Sequence, residues 1–62
     1  MAHTLQYPIG KSIRVIETEV ENLLNLTKAL KEAGDTERAR AVATQAQKLV
    51  EAAVGLRIAM AG

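Results

Sequence analysis

The sequence predicts an all-α fold: an antiparallel two-helix hairpin with a short N-terminal segment, assembled into a homo-oligomeric helical bundle. Three observations carry this expectation. Two stretches repeat apolar residues at alternating three- and four-residue spacings, the period of a helix face. A Gly-Asp-Thr triplet separates them. Apolar and small residues also cover more of the second stretch than one partner helix can bury.

Residues 1–11 (MAHTLQYPIGK) form the N-terminal segment, which carries no acid and holds the single Pro. Pro8 suits the first position of a helical turn, where its missing N–H is not needed. Gly10 then weakens any helix continuing from it. A loop, or one turn followed by a break, is expected. Helix 1 is expected over residues 12–33. Ile13, Ile16, Val20, Leu23, Thr27 and Leu30 make its seam, with Ile9 one step upstream, and Leu24 and Leu26 widen the apolar face. Glu17 and Glu21 are a like-charge pair one turn apart, unfavourable unless a cation reaches them from elsewhere.

The turn is expected at residues 34–36. Gly34 can take the left-handed conformation that ends a helix, Asp35 or Thr36 can cap the next one, and Glu37 suits its first turn. So short a connection makes the helices antiparallel neighbours. Helix 2 is expected over residues 37–58, with residues 59–62 as a tail. Ala39, Val42, Ala46, Leu49, Ala53 and Leu56 repeat the seam, and Met60 continues it. Ala43, Gln47, Val50, Val54 and Ile58 form a second stripe. Ala41, Ala52, Gly55 and Ala59 form a third set, small enough to let another backbone approach. One hairpin cannot bury three such surfaces, and leaving them wet exposes a larger apolar patch than monomers tolerate. The expectation is therefore a closed homo-oligomer above the dimer, with Val42, Ala46, Leu49, Val50, Ala53 and Val54 at its interface.

Length and composition exclude several function classes. At 62 residues and 6.7 kDa the chain is one thin domain, of a size that hides only about 60% of its surface on folding. Without Cys it has neither disulfides nor thiolate metal sites, and one His is too few for a metal cluster. No metal and no cofactor is expected. A net charge of +1, from eight basic and seven acidic residues, supplies no field to draw nucleic acid or an anionic membrane. Tyr7 is the only member of the Phe, Trp and Tyr class, so stacking platforms for single strands are missing. No apolar run is long enough to span a bilayer and no signal-peptide pattern opens the chain, which points to a soluble, cytoplasmic protein.

Few local motifs carry chemistry. Gly10-Lys11-Ser12 matches the end of a phosphate-binding loop, but Leu5 stands where the first Gly belongs and there is no room for the preceding strand. What is left is either a capped helix start with solvated cations or a weak anion site of backbone N–H groups beside Lys11 and Arg14. Arg57 is the one charge in the last eleven residues. It either lays its stem on the surface with its head in water, pairs with a Glu across an interface, or binds phosphate. Gln47 and Thr27, polar in apolar stripes, are either exposed or buried to fix register. Tyr7 and His3 either pin the N-terminal segment to the core or meet a ligand, by stacking and by hydrogen bonding respectively. Glu17, Glu21 and Glu51 fall on solvated faces, and no cleft can form in one hairpin, so no enzyme is expected.

Two resemblances add to this. Gly34-Asp35-Thr36-Glu37-Arg38-Ala39, continued through Ala46 and Leu49, resembles the helix–turn–helix of a tetratricopeptide repeat, without that repeat's aromatic positions and terminal Pro. His3-Thr4-Leu5 before helix 1, and the small-residue helix 2 closing in Leu56-Arg57-Ile58-Ala59, resemble the phage anti-CBASS proteins that act as cyclic-nucleotide sponges. This chain is shorter and lacks their aromatic near the start of the second helix. The resemblance implies a compact hexamer that traps a cyclic oligonucleotide between subunits, with Tyr7 stacking and Lys11, Arg14 and Arg57 neutralising phosphate. The competing class is a dimeric four-helix bundle similar to Rop, serving a protein or RNA partner. For RNA one wants a basic stripe, whereas Arg14, Lys28 and Lys31 are interleaved with Glu17, Glu21 and Glu32.

Overall fold

The computed structural model describes residues 2–61, with the side chains of residues 7–61. Two helices account for nearly all of it: α1, Ala2–Glu32, and α2, Thr36–Ala61, packed side by side as a hairpin.

The N-terminal segment is not a loop. α1 runs from Ala2 straight through Pro8 and Gly10, ten residues upstream of its expected start at residue 12. Pro8 removes one rung of the hydrogen-bond ladder and crowds the preceding turn, a local cost of about 3 kcal/mol. It does not forbid the helical φ. At the other end α2 continues to Ala61, so the tail is helical also.

The turn follows from three residues. Gly34 has φ +83°, a left-handed conformation open to Gly without penalty. Its N–H donates to the Lys31 carbonyl at 3.0 Å, and the Asp35 N–H donates to the Leu30 carbonyl at 2.9 Å. These two bonds form a Schellman closure. Asp35 then caps α2: its Oδ1 accepts from the Arg38 N–H at 3.1 Å, and its carbonyl accepts from the Ala39 N–H at 3.0 Å. Of the two candidates for the cap, Asp35 holds it.

The core is a line of small contacts. Ala39, Ala46 and Ala53, seven residues apart on α2, are 1%, 2% and 5% exposed, and Ile13 and Thr27 on α1 are 4% and 7% exposed. Ala at these positions lets the helix backbones come close. Thr27 is buried without linking the helices through its hydroxyl, which donates to the Leu23 carbonyl of its own helix at 2.8 Å.

This line is too narrow to cover the aliphatic side chains around it. Among the described residues no large side chain is fully buried. The molecule measures 50 × 15 × 10 Å, and its radius of gyration is 14.6 Å where a compact chain of this length has about 11 Å. Its accessible surface is 4845 Å², against about 3,900 Å² for a compact monomer of this mass.

The helical rows beside the seam form two flanks. On the first, Ile16, Leu23 and Leu30 of α1 and Val42, Leu49 and Leu56 of α2 are half-buried. On the second, Leu24, Val50 and Val54 are exposed, and Arg57 of α2 meets Glu17 of α1.

Candidate functional site

At the open end of the hairpin, Gly10, Ile13 and Arg14 of α1 and Arg57, Met60 and Ala61 of α2 line a shallow concavity of about 410 Å³. Its position follows from the register. Ala61 lies level with Gly10, so the part of α1 before Gly10 extends past Ala61 by about 12 Å. The floor is apolar, from Ile13 and Met60, and the rim carries two guanidinium groups. Arg14 folds back along its own helix, and its Nη1 sits 4.0 Å from where a Cβ on Gly10 would lie. Arg57 reaches over the seam, its Nη2 donating to Glu17 Oε2 at 2.5 Å. Both partners of that pair are about half exposed, 57% and 50%.

Four residues were candidate ligand contacts, and the structure brings two of them together, Arg14 and Arg57. Lys11 does not line the concavity; it shares with Arg14, Val15 and Thr18 a separate groove along α1. Tyr7 is 71% exposed on the stretch of α1 that extends beyond Ala61, packed against neither the seam nor the concavity. The side chains of His3, Thr4 and Leu5 lie outside the described residues.

One expectation about this end changes. The anion site at a helix start is gone, because Gly10, Lys11 and Ser12 are inside α1 and their N–H groups serve the helix ladder. Arg57, still 57% exposed, pairs with Glu17 of the same chain, a partner the sequence did not single out. Glu17 is exposed, as expected of a solvated face. Its proximity to Glu21 was the signal that a cation belonged beside it. The concavity also receives the C-terminal end of α2, whose last turn carries no basic residue of its own. Arg14 and Arg57 bring positive charge toward the negative pole of that helix.

The expected interface residues divide three ways. Ala46 and Ala53 are taken up inside the chain against α1, so the assignment to an intersubunit contact gives way to the intrachain seam. Val42 and Leu49 are half-buried on the first flank, while Val50 and Val54 are exposed on the second. Gln47 is exposed too.

Among the described residues no group of three His, Asp or Glu side chains is placed to hold a metal ion, and no helix is long and apolar enough to cross a membrane. Comparison with protein families, with curated proteins and with solved structures finds no match to this chain.

Proposed function

We propose that the protein is a non-catalytic helical hairpin that works as a cytoplasmic homo-oligomer, each copy meeting neighbours on both flanks. The observation that supports this is the uncovered aliphatic surface on two sides of the seam. Leu26 on the first flank and Leu24, Val50 and Val54 on the second are all 39% or more exposed. Two different flanks generate either two kinds of two-fold contact or a ring, and both exceed a dimer.

Within that assembly the concavity at the open end is the place for a small phosphate-bearing ligand such as a cyclic nucleotide. Arg14 and Arg57 would face its phosphates, with Ile13 and Met60 beneath. An anion there competes with Glu17 for Arg57, so Glu17→Gln should tighten binding while Arg14→Ala with Arg57→Ala abolishes it.

Native mass spectrometry on gently purified protein tests both halves. More than two copies, carrying a few hundred daltons per site, supports the assembly and the ligand together. More than two copies that bind nothing from a panel of cyclic nucleotides removes the ligand. A bare dimer, twice the chain mass of 6.7 kDa, favours the second reading, a Rop-like four-helix bundle for a macromolecular partner. The alanine line Ala39, Ala46 and Ala53 supports that reading too, since close helix pairs are building blocks of such bundles.

A further inference from the structure

The second flank carries a charge pattern that changes sign about its middle. On α1, Glu17 and Glu21 precede Leu24, and Lys28 and Lys31 follow it. Glu17 and Lys31 stand seven residues to either side of Leu24, Glu21 three before it and Lys28 four after it. Steps of three and four keep all five on one face of the helix, and all five are exposed. Glu17 is paired with Arg57. Among the described residues Glu21, Lys28 and Lys31 have no ionic partner in their own chain.

α2 has a matching middle. Ala61 lies level with Gly10, so fourteen residues inward from each puts Gln47 level with Leu24. Gln47 is exposed. Four residues before it stands the small, half-buried Ala43, and three after it the exposed Val50. The flank thus holds three of the exposed large aliphatic side chains, Leu24, Val50 and Val54, near its centre, and its unpaired charges lie to either side of Leu24.

We propose that the second flank is a contact between two copies of this chain, related by a two-fold axis that crosses both helices at the level of Leu24 and Gln47. This deepens the reading of the protein as a homo-oligomer and rests on it. Each helix then runs antiparallel over its own counterpart. Glu17 and Glu21 of one copy face Lys31 and Lys28 of the other, and symmetry repeats both pairings. Leu24 meets Leu24, and Val50 faces the smaller Ala43. The two Gln47 amides face each other, each able to donate and accept, and a polar pair at the centre fixes register. Apolar residues at the middle with charges around them are the anatomy of a specific interface. Charge complementarity also selects this two-fold over the one running along the helices, which would lay α1 of one copy over α2 of the other. There Glu17 and Glu21 would face Val54 and Val50, and Lys31 would face Arg40, so acids lose their cations and like charges meet.

The test uses residues exposed in the hairpin, so that the intrachain seam is left alone. The chain has no Cys, so Leu24→Cys and Gln47→Cys each place a single thiol at the axis, against its own mate. Under mild oxidation each should form a disulfide-linked pair at least about 10-fold faster than Lys48→Cys, on the side of α2 turned away from α1. Glu21→Lys and Lys28→Glu each set like charges together at two symmetry-related places, and each should weaken association about 10-fold by analytical ultracentrifugation. Mixed together, the two variants should associate with each other by native mass spectrometry, because each then meets the opposite charge in the other. If the native chain is associated but neither axial cysteine links faster than Lys48→Cys and the mixture gains nothing, the second flank is not the contact, although the oligomer stands. Fast linking of Leu24→Cys only when it is mixed with Gln47→Cys overturns the assigned axis in favour of the one along the helices. A native chain that is monomeric at every concentration overturns this inference and the proposed oligomer together.

Discussion

The guanidinium of Arg57 reaches across the hairpin to the carboxylate of Glu17, forty positions away in sequence. It is the sole ion pair between the two helices among the described residues; the other ion pair, Arg38 with Asp35, stays at the turn. Glu17 repels Glu21 one turn along α1, and Arg57 is the cation that offsets this from the opposite helix.

Both partners are about half exposed, so the pair contributes little to stability. Arg57→Ala should cost about 0.2–1 kcal/mol by urea denaturation, with the difference shrinking at high salt. Glu17→Lys, which sets two cations against each other, should cost more, and adding Arg57→Glu to it should recover most of the loss. A double variant no better than Glu17→Lys alone would show that the pair is not formed in solution.

The seam tolerates no increase in size. At Ala46, 2% exposed, the three extra heavy atoms of a Leu have nowhere to go without pushing α1 away. Ala46→Leu should destabilise by about 1–3 kcal/mol. In a chain this small that lowers Tm by on the order of 10 °C at fixed protein concentration. Ala41→Leu, on an exposed position of the same helix, is the control and should stay near the native Tm.

At the turn, Gly34→Ala forces a side chain into the left-handed region and should cost about 1 kcal/mol. Asp35→Ala removes the cap for a similar loss, while Asp35→Asn keeps an oxygen for the Arg38 N–H and should remain close to native. Chemical denaturation of the three variants orders them. Equal losses for Asn and Ala would mean that charge, and not the cap, is what Asp35 supplies.

Pro8 lies inside α1 but outside the seam. Pro8→Ala restores a ladder hydrogen bond and should raise helical content by circular dichroism and slow amide exchange just before position 8, with the assembly mass unchanged. No gain in helical signal would mean that the proline is already accommodated at no cost.

The hairpin was legible because its signals agree across levels. The alternating spacing marks both helices, Gly34 and Asp35 mark the end of one and the start of the other, and the seam residues Ile13, Thr27, Ala39, Ala46 and Ala53 are the buried ones. The helix ends were less legible. Pro8 and Gly10 each oppose a helix by their own propensities, but each opposes it only locally, and the turns on either side carry it through. The flanks were hardest to read. A helical wheel places Val50 and Val54 in one row and Val42 and Leu49 in another, yet it does not say how far each row turns toward the partner helix. That angle depends on how closely the backbones approach, which the alanines decide jointly with α1. For the same reason Arg57 and Glu17 could be noticed one at a time but not matched, since the match needs the register of one helix against the other.

Asp35 belongs to both helices: its N–H completes the closure of α1 and its carbonyl opens α2. With no slack residue between them, the rotational phase of one helix is transmitted to the other. A single residue inserted after Gly34 would either bulge out or turn α2 by about 100° about its axis. In the second case Ala46 would leave the seam, and Leu26 and Ala52 would no longer share a flank. Which residues the hairpin presents together on each side is therefore decided at a turn that those surfaces need not touch.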